Sequence, residues 1–347
     1  MKNFFLKSIS LAFLCLALTG ADYLGSTQME RSRNLMGDTL RVTVFQSNHT
    51  DESLGYVLEK AFKSAEAVEN EISDSNPEGV VSRILRAKAG DTIELSEDAF
   101  YMLKEGLRVS RLSEGAYDVT SGGLKALWRK AKEAGEPPAK SQIESELSGV
   151  GYKNLQLDDY GKRLKVERDG IKLDLESLAR AYALDKVVAY LDRSEVHSAV
   201  ITFGGNMRIL GLSPGSAYWK IGIEHPRKVE EYAVILELDE GHAISTAGDY
   251  ESFFLYKGRR YPHVVSGRTG SPPDNRVASV TIIAKNAVLS SLLSEALFVL
   301  GPENGLELVE SLKEENPGAI VIEQRSDDQF VLASSEGSQN YIKGVRL

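Results

Sequence analysis

Residues Ile244–Gly301 read ISTAGDYESFFLYKGRRYPHVVSGRTGSPPDNRVASVTIIAKNAVLSSLLSEALFVLG, and the order of elements in that stretch decides the fold class. Two short strands around Tyr256–Arg260 lead to a lone histidine, His263, and a Gly/Pro-rich loop follows through Asn275. A strand at Val277–Ala284 then gives way to an apolar helix with Asn286 as its N-cap, and Gly301-Pro302 stops that helix. Ser290, Ser291, Ser294 and Glu295 interrupt it. Ser291 and Glu295 are spaced to project from one helical face. A glutamate in so apolar a helix is costly to bury without a partner such as a cation.

Working outward, Thr39–Phe45 alternates as a strand, Ser53–Ile72 carries helix-period apolar residues, and Ala99–Leu112 reads as a second helix. The Asp118–Trp128 region is expected to turn on Gly122-Gly123, and Glu133–Lys140, with Pro137-Pro138, to be a surface loop. A meander is expected at Asn154–Leu157, Arg163–Glu167 and Ile171–Leu175, with Asp174 ending its last strand where a helix Leu175–Leu191 begins. Farther on, Ala199–Phe203 is a strand and Gly204-Gly205-Asn206 a tight turn. Strands and helices alternate without an internal repeat, a low-complexity tract or a linker. The expectation is one α+β domain over residues 22–347.

The chain has 347 residues, 42% of them hydrophobic and 26% charged, which suits a substantial core. Its net charge of −9 repels nucleic acid, and no Lys/Arg run or aromatic-basic interleaving offsets that. Residues 1–21 read as a signal peptide. Lys2 and Lys7 precede the apolar run Ser8–Leu18, too short to span a bilayer, and Thr19-Gly20-Ala21 supplies small residues for cleavage. Cleavage near Ala21 is preferred to a lipoprotein reading of Cys15, because Phe13 and Leu14 are bulky where a lipid-attachment signal wants small residues. The mature chain then holds no cysteine and sits in the periplasm or cell envelope, with no transmembrane segment.

Six blocks carry a resemblance that spans nearly the whole chain beyond the leader. They are Asn34–Gly37, Gly115–Thr120, Asp174–Tyr182, Ile201–Asn206, Trp219–Arg227 and the opening stretch Ile244–Gly301. In that order they resemble the FAD:protein FMN transferases, the ApbE-like family. The resemblance implies a single domain of mixed or antiparallel sheet with packed helices. It also implies transfer of the FMN half of FAD to a threonine or serine hydroxyl of a partner protein, such as a membrane redox subunit, with AMP leaving. No strand-anchored GxGxxG argues for a nicotinamide cofactor instead. The cation implied for such pyrophosphate chemistry is Mg2+.

By the same resemblance, the metal ligands fall at Ser177, Ser291 and Glu295. The family's aspartate and threonine have there become Ser291 and Glu295, so hydroxyl and carboxylate exchange ends of one spacing. Two readings follow: a swapped cation site, or a lost one in which Glu295 makes an ordinary ion pair. Flavin contacts are implied for Met36, Ala116, Tyr117, Asp118, Asp174, Arg180, Gly204, Gly205, His263 and Thr269, and catalytic roles for His263 and Glu295. Read as residues alone, Asp118 and Asp174 serve equally as helix caps, Tyr117 as a core aromatic and Gly204-Gly205 as a hairpin turn. His263 titrates near neutrality when unperturbed and suits acid–base work, with a structural strand histidine as the alternative. Besides the transferase, two function classes remain open: a silent FAD-binding protein and a metal-dependent FAD pyrophosphatase.

Overall fold

A computed structural model describes residues 28–347; the expected leader, with Cys15 and the cleavage position near Ala21, lies outside the described residues. At its centre is an eight-stranded sheet, antiparallel at every pairing. The strands run in the order Met29–Leu35, Asp38–Ser47, Val196–Phe203, Asn206–Leu210, Ala243–Gly248, Val277–Ala284, Gly318–Ser326 and Gln329–Ser334.

Side chains alternate along a strand, so each face of this sheet reaches a different partner. Val280 and Ile282 join a cluster with Leu293 and Leu297 of the helix Ala287–Leu300, while Ile283 joins Trp219 and Ile221 on the opposite face. With both faces covered, every residue of Val277–Ala284 is buried, Ser279 and Thr281 included, which explains its mostly apolar sequence. The covering layer beside Trp219 is a three-stranded sheet of Trp219–Glu224, Tyr232–Leu238 and Ile342–Val345.

Helices cover the other face. Asp51–Ile72 buries Leu54, Leu58, Ala61, Phe62, Ala65 and Val68 along one stripe, and Glu176–Arg193 packs beside it. Asn286 caps Ala287–Leu300 as its sequence position suggests, its side chain accepting from Leu289 N at 2.8 Å. Asp185 of the Glu176–Arg193 helix accepts from Ala287 N at 2.9 Å and Val288 N at 3.1 Å. A carboxylate at the positive end of that helix thereby fixes the angle between the two.

Two local expectations fail. Gly122-Gly123 opens a helix, Gly122–Ala134, in place of a turn, and the expected loop shrinks to the few residues before the helix Lys140–Leu147. The glycines are there for close approach: a Cβ on Gly122 would lie 2.2 Å from Leu173 O, and one on Gly123 2.1 Å from Glu146 Oε2. Ile171–Leu175 is not the third strand of the meander. Leu155–Asp158 and Arg163–Val166 pair as expected, but the third strand is Thr92–Glu94. Residues 171–175 instead run beside the start of the new helix, with Asp174 N donating to Val119 O and Gly122 N to Lys172 O. Ile171 and Leu173 are buried in the main apolar cluster with exposed Lys172 between them, which gives the same alternation as a strand.

Candidate active site

Two hairpin turns lie side by side at one end of the central sheet, because Leu40 pairs with Phe203. One is Met36-Gly37, with φ of 46° and 75°; the other is Gly204-Gly205, with φ of 57° at Gly204. Arg180, one turn into the Glu176–Arg193 helix, joins them. Its Nη1 donates to Met36 O at 3.2 Å and to Glu176 Oε1 at 2.8 Å, and its Nε would lie 3.2 Å from a Cβ on Gly204. Four sequence-predicted residues, Met36, Arg180, Gly204 and Gly205, are therefore brought together. Glu251, beyond the strand Ala243–Gly248, faces the same turns, its Oε1 enclosed and without a hydrogen-bond partner. Burial first, then the charges of Glu224 and Asp38, push its carboxyl up to about 8 against the pull of Arg180.

Adjoining this corner is a cluster of charges. Lys125, on the Gly122–Ala134 helix, donates to Glu295 Oε2 at 3.0 Å and stands 2.6 Å from Asp174 Oδ2. The second contact is a close ion pair between two largely buried side chains. Ser177 adds a side-chain hydrogen bond to Glu295, so two of the three predicted metal ligands do meet. Burial opposes charge on all three ionic groups. At Lys125 the two carboxylates outweigh it and raise the ammonium; at Glu295 the Lys125 charge and the Ser177 hydroxyl outweigh it and hold the carboxyl below its usual range. At Asp174 burial prevails, helped by the nearby Glu295, and the carboxyl is raised. Tyr117 is buried beside these carboxylates, its hydroxyl enclosed without a hydrogen-bond partner.

His263 follows the hairpin Phe253–Tyr256/Arg259–Pro262, and its Nδ1 faces Ser252 O at 3.3 Å. A carbonyl can only accept, so Nδ1 carries the proton and Nε2 is left as an acceptor. The side chain is exposed to solvent, yet protein crowds around it. That poor solvation, with Lys125 and Arg180 nearby, pushes its imidazole down to about 4 despite the opposing charge of Glu295.

The donor set does not fit a divalent cation as it stands. Ser177 and Ser291 offer neutral hydroxyls, and the one carboxylate among the predicted ligands, Glu295, is already held by an ammonium. Like unit charges about 4 Å apart repel by roughly 4 kcal/mol near a protein surface, and a divalent ion doubles that. Among the described residues no group of three or more His, Cys, Asp or Glu side chains is arranged to hold a metal ion.

Other predicted residues stand apart from the charge cluster. Asp118 Oδ1 accepts from Thr120 N at 2.9 Å and Thr120 Oγ1 at 2.6 Å, and Oδ2 from Tyr152 N at 3.0 Å. Its oxygens hold a turn together. Ala116 O accepts from Gly267 N, which ties this turn to the loop after His263, and Thr269 is exposed in that loop. Lys125 and Glu251 escaped the sequence reading. The signal for Lys125 was a lysine between Leu124 and Trp128, both inward residues of one helix, where a cation needs a buried acid.

The model described as the ApbE family matches residues 36–320. The chain belongs to the ApbE family. It is 28% identical over 333 residues to the FAD:protein FMN transferase of Vibrio cholerae serotype O1, covering 95% of this chain and 96% of that protein. To the FAD:protein FMN transferase of Haemophilus influenzae it is 28% identical over 312 residues, covering 87% and 89%. Among solved structures, the flavin transferase ApbE from Vibrio cholerae matches with a TM-score of 0.78 at 26% identity, over 90% of this chain and 98% of that one. The ApbE protein from Thermotoga maritima matches with 0.78 at 27% identity, over 91% and 99%. The family resemblance and the α+β class read from the sequence are both borne out, and ApbE relatives support a flavin transferase function.

Proposed function

We propose that this ApbE-family chain transfers FMN from FAD to a threonine or serine hydroxyl of an exported partner, such as a membrane redox subunit. The hydroxyl oxygen attacks the phosphorus of the FMN half, the bridging P–O bond breaks, and its electron pair leaves with AMP. The hydroxyl proton goes to a base. The observation that carries this reading is His263, held through Nδ1 by Ser252 O with Nε2 left open, within electrostatic reach of the Lys125 and Arg180 cations.

His263 takes the proton, since its lowered pKa keeps it unprotonated at neutral pH. Lys125 and Arg180 oppose the charge of the diphosphate, and the Gly204-Gly205 turn lets backbone come close to it. Mg2+ stays outside this proposal because Glu295 is committed to Lys125. Incubating the purified chain with FAD and a threonine-bearing redox domain should give a fluorescent flavin band that survives denaturation. AMP release without that band favours the pyrophosphatase reading, and saturable FAD binding with neither favours the silent binder. Export belongs to the same proposal: protein recovered from the native envelope should begin near Asp22, and an intact Met1 or a lipidated Cys15 refutes it.

A further inference from the structure

We propose that the Lys125 ammonium occupies the place of a divalent cation, so that this chain holds FAD and transfers FMN without a bound metal. The inference rests on the transferase reading for its activity arm only. Its geometric basis is independent: a single nitrogen lies 2.6 Å from Asp174 Oδ2 and 3.0 Å from Glu295 Oε2, with the Ser177 hydroxyl completing Glu295. Two carboxylates converging on one point are what a hard cation takes. Here the point is filled covalently from the chain itself.

The filling cation comes from a separate element. Asp174 and Ser177 flank the start of the Glu176–Arg193 helix, Glu295 belongs to Ala287–Leu300, and Lys125 reaches in from Gly122–Ala134. That third helix is seated by the glycine contacts at Gly122 and Gly123, which bring its first turn against residues 172–173. Lys125 is thereby carried to the carboxylates by backbone packing. An ammonium carries three N–H groups, and the two carboxylates engage two of them; the third is left for a phosphate oxygen. In the transfer itself no atom changes oxidation state: the acceptor O–P bond forms, the bridging P–O bond breaks with its electron pair leaving on AMP, the proton leaves through the base, and Lys125 supplies charge alone.

The test uses Mn2+ as the probe, followed by the loss of its free-ion electron paramagnetic resonance signal, on the purified chain without its leader. Wild type should take up no stoichiometric Mn2+, and its FAD affinity and transfer rate should change less than twofold in EDTA. Lys125→Ala opens the position and should bind about one equivalent of Mn2+, and adding Glu295→Gln should abolish that binding. Its transfer rate should fall about 100-fold and recover in part with Mn2+. The proposal is overturned if wild type binds one Mn2+ that Glu295→Gln removes, if EDTA stops wild-type transfer, or if folded Lys125→Ala takes up no Mn2+. Should Lys125→Ala not fold, Lys125→Met keeps the packing, and the wild-type arms decide on their own. If wild type transfers no flavin under any condition, the functional reading fails while the Mn2+ measurements still judge Lys125.

Discussion

Asp118 and Asp174 are both buried, and each precedes the start of a helix, yet they are neutralised by different means. Asp118 receives backbone N–H groups from Thr120 and Tyr152 and a hydroxyl from Thr120. Asp174 relies on a lysine that it shares with Glu295. A carboxylate satisfied by fixed, uncharged donors is a piece of framework. One satisfied by a shared ammonium is a charge site whose cation can in principle be exchanged. Glu251 shows a third solution: its carboxyl keeps a proton. Three neutralising devices thus separate the scaffold of this protein from its charge site.

The sharpest way to break that contrast is to remove the ammonium. Lys125→Met leaves Asp174 and Glu295 buried without their cation and should cost about 3–5 kcal/mol of unfolding free energy. The loss should shrink as acid protonates the carboxylates. Urea titrations near neutral pH and in mild acid check both parts, and a neutral-pH loss under about 1 kcal/mol would mean that the pair is solvated and the contrast empty.

A proton is easier to displace than a lysine, so Glu251 comes next. Its carboxyl titrates at 4.5 when unperturbed and at about 8 in the fold, so the folded chain retains a proton that the unfolded chain releases between those values. Stability should therefore fall as pH rises through that window. Glu251→Gln carries a fixed neutral group and should lose this slope, ending on the order of 1–3 kcal/mol more stable than wild type near pH 9. Parallel melting curves of the two proteins across pH would refute the assignment.

Asp118 should respond less, and without dependence on any cation. Asp118→Ala strips acceptors from Thr120 N and Tyr152 N and should cost about 1–3 kcal/mol. Its FAD affinity should stay within about threefold of wild type, since the lost bonds hold a turn and touch none of the cleft cations. A large fall in flavin binding with intact stability would return Asp118 to the ligand set that the family resemblance implies.

What the sequence discloses follows the same division. The strand Val277–Ala284, the Asn286 cap and the Gly301 stop were legible, because local apolar runs and caps decide them. The start of the helix at Gly122 was not. Its glycines look like turn residues until Leu173 O and Glu146 are seen pressing on them, and those contacts are distant in sequence. The third strand was misplaced for a related reason, since burial of an irregular segment in the core and pairing in a sheet leave one alternating pattern at Ile171 and Leu173. At the site, spacing alone put Ser291 and Glu295 on one helical face, and the resemblance supplied Ser177. The occupant of the position they suggest, Lys125, is a tertiary fact.

The smallest effect on stability should come from His263, which bears on whether this charged corner is built for proton transfer. Its imidazole titrates at 6.5 when unperturbed and at about 4 in the fold, chiefly because protein crowds out its solvation. Between those values the unfolded chain binds a proton that the folded chain refuses, so stability should fall as pH drops from about 6.5 to about 4. The side chain is partly open to water, which screens the penalty to on the order of 1 kcal/mol. His263→Gln should flatten that slope while barely changing stability at neutral pH. The same protonation governs rate: with His263 as base, the acid limb of kcat/KM for flavin transfer should lie below about pH 5, where an unperturbed histidine would place it near 6.5. His263→Gln should lower the neutral-pH rate about 100-fold and remove that limb. Retention of the wild-type rate and limb in His263→Gln would assign the proton to another group and leave His263 as a strand residue bound to Ser252.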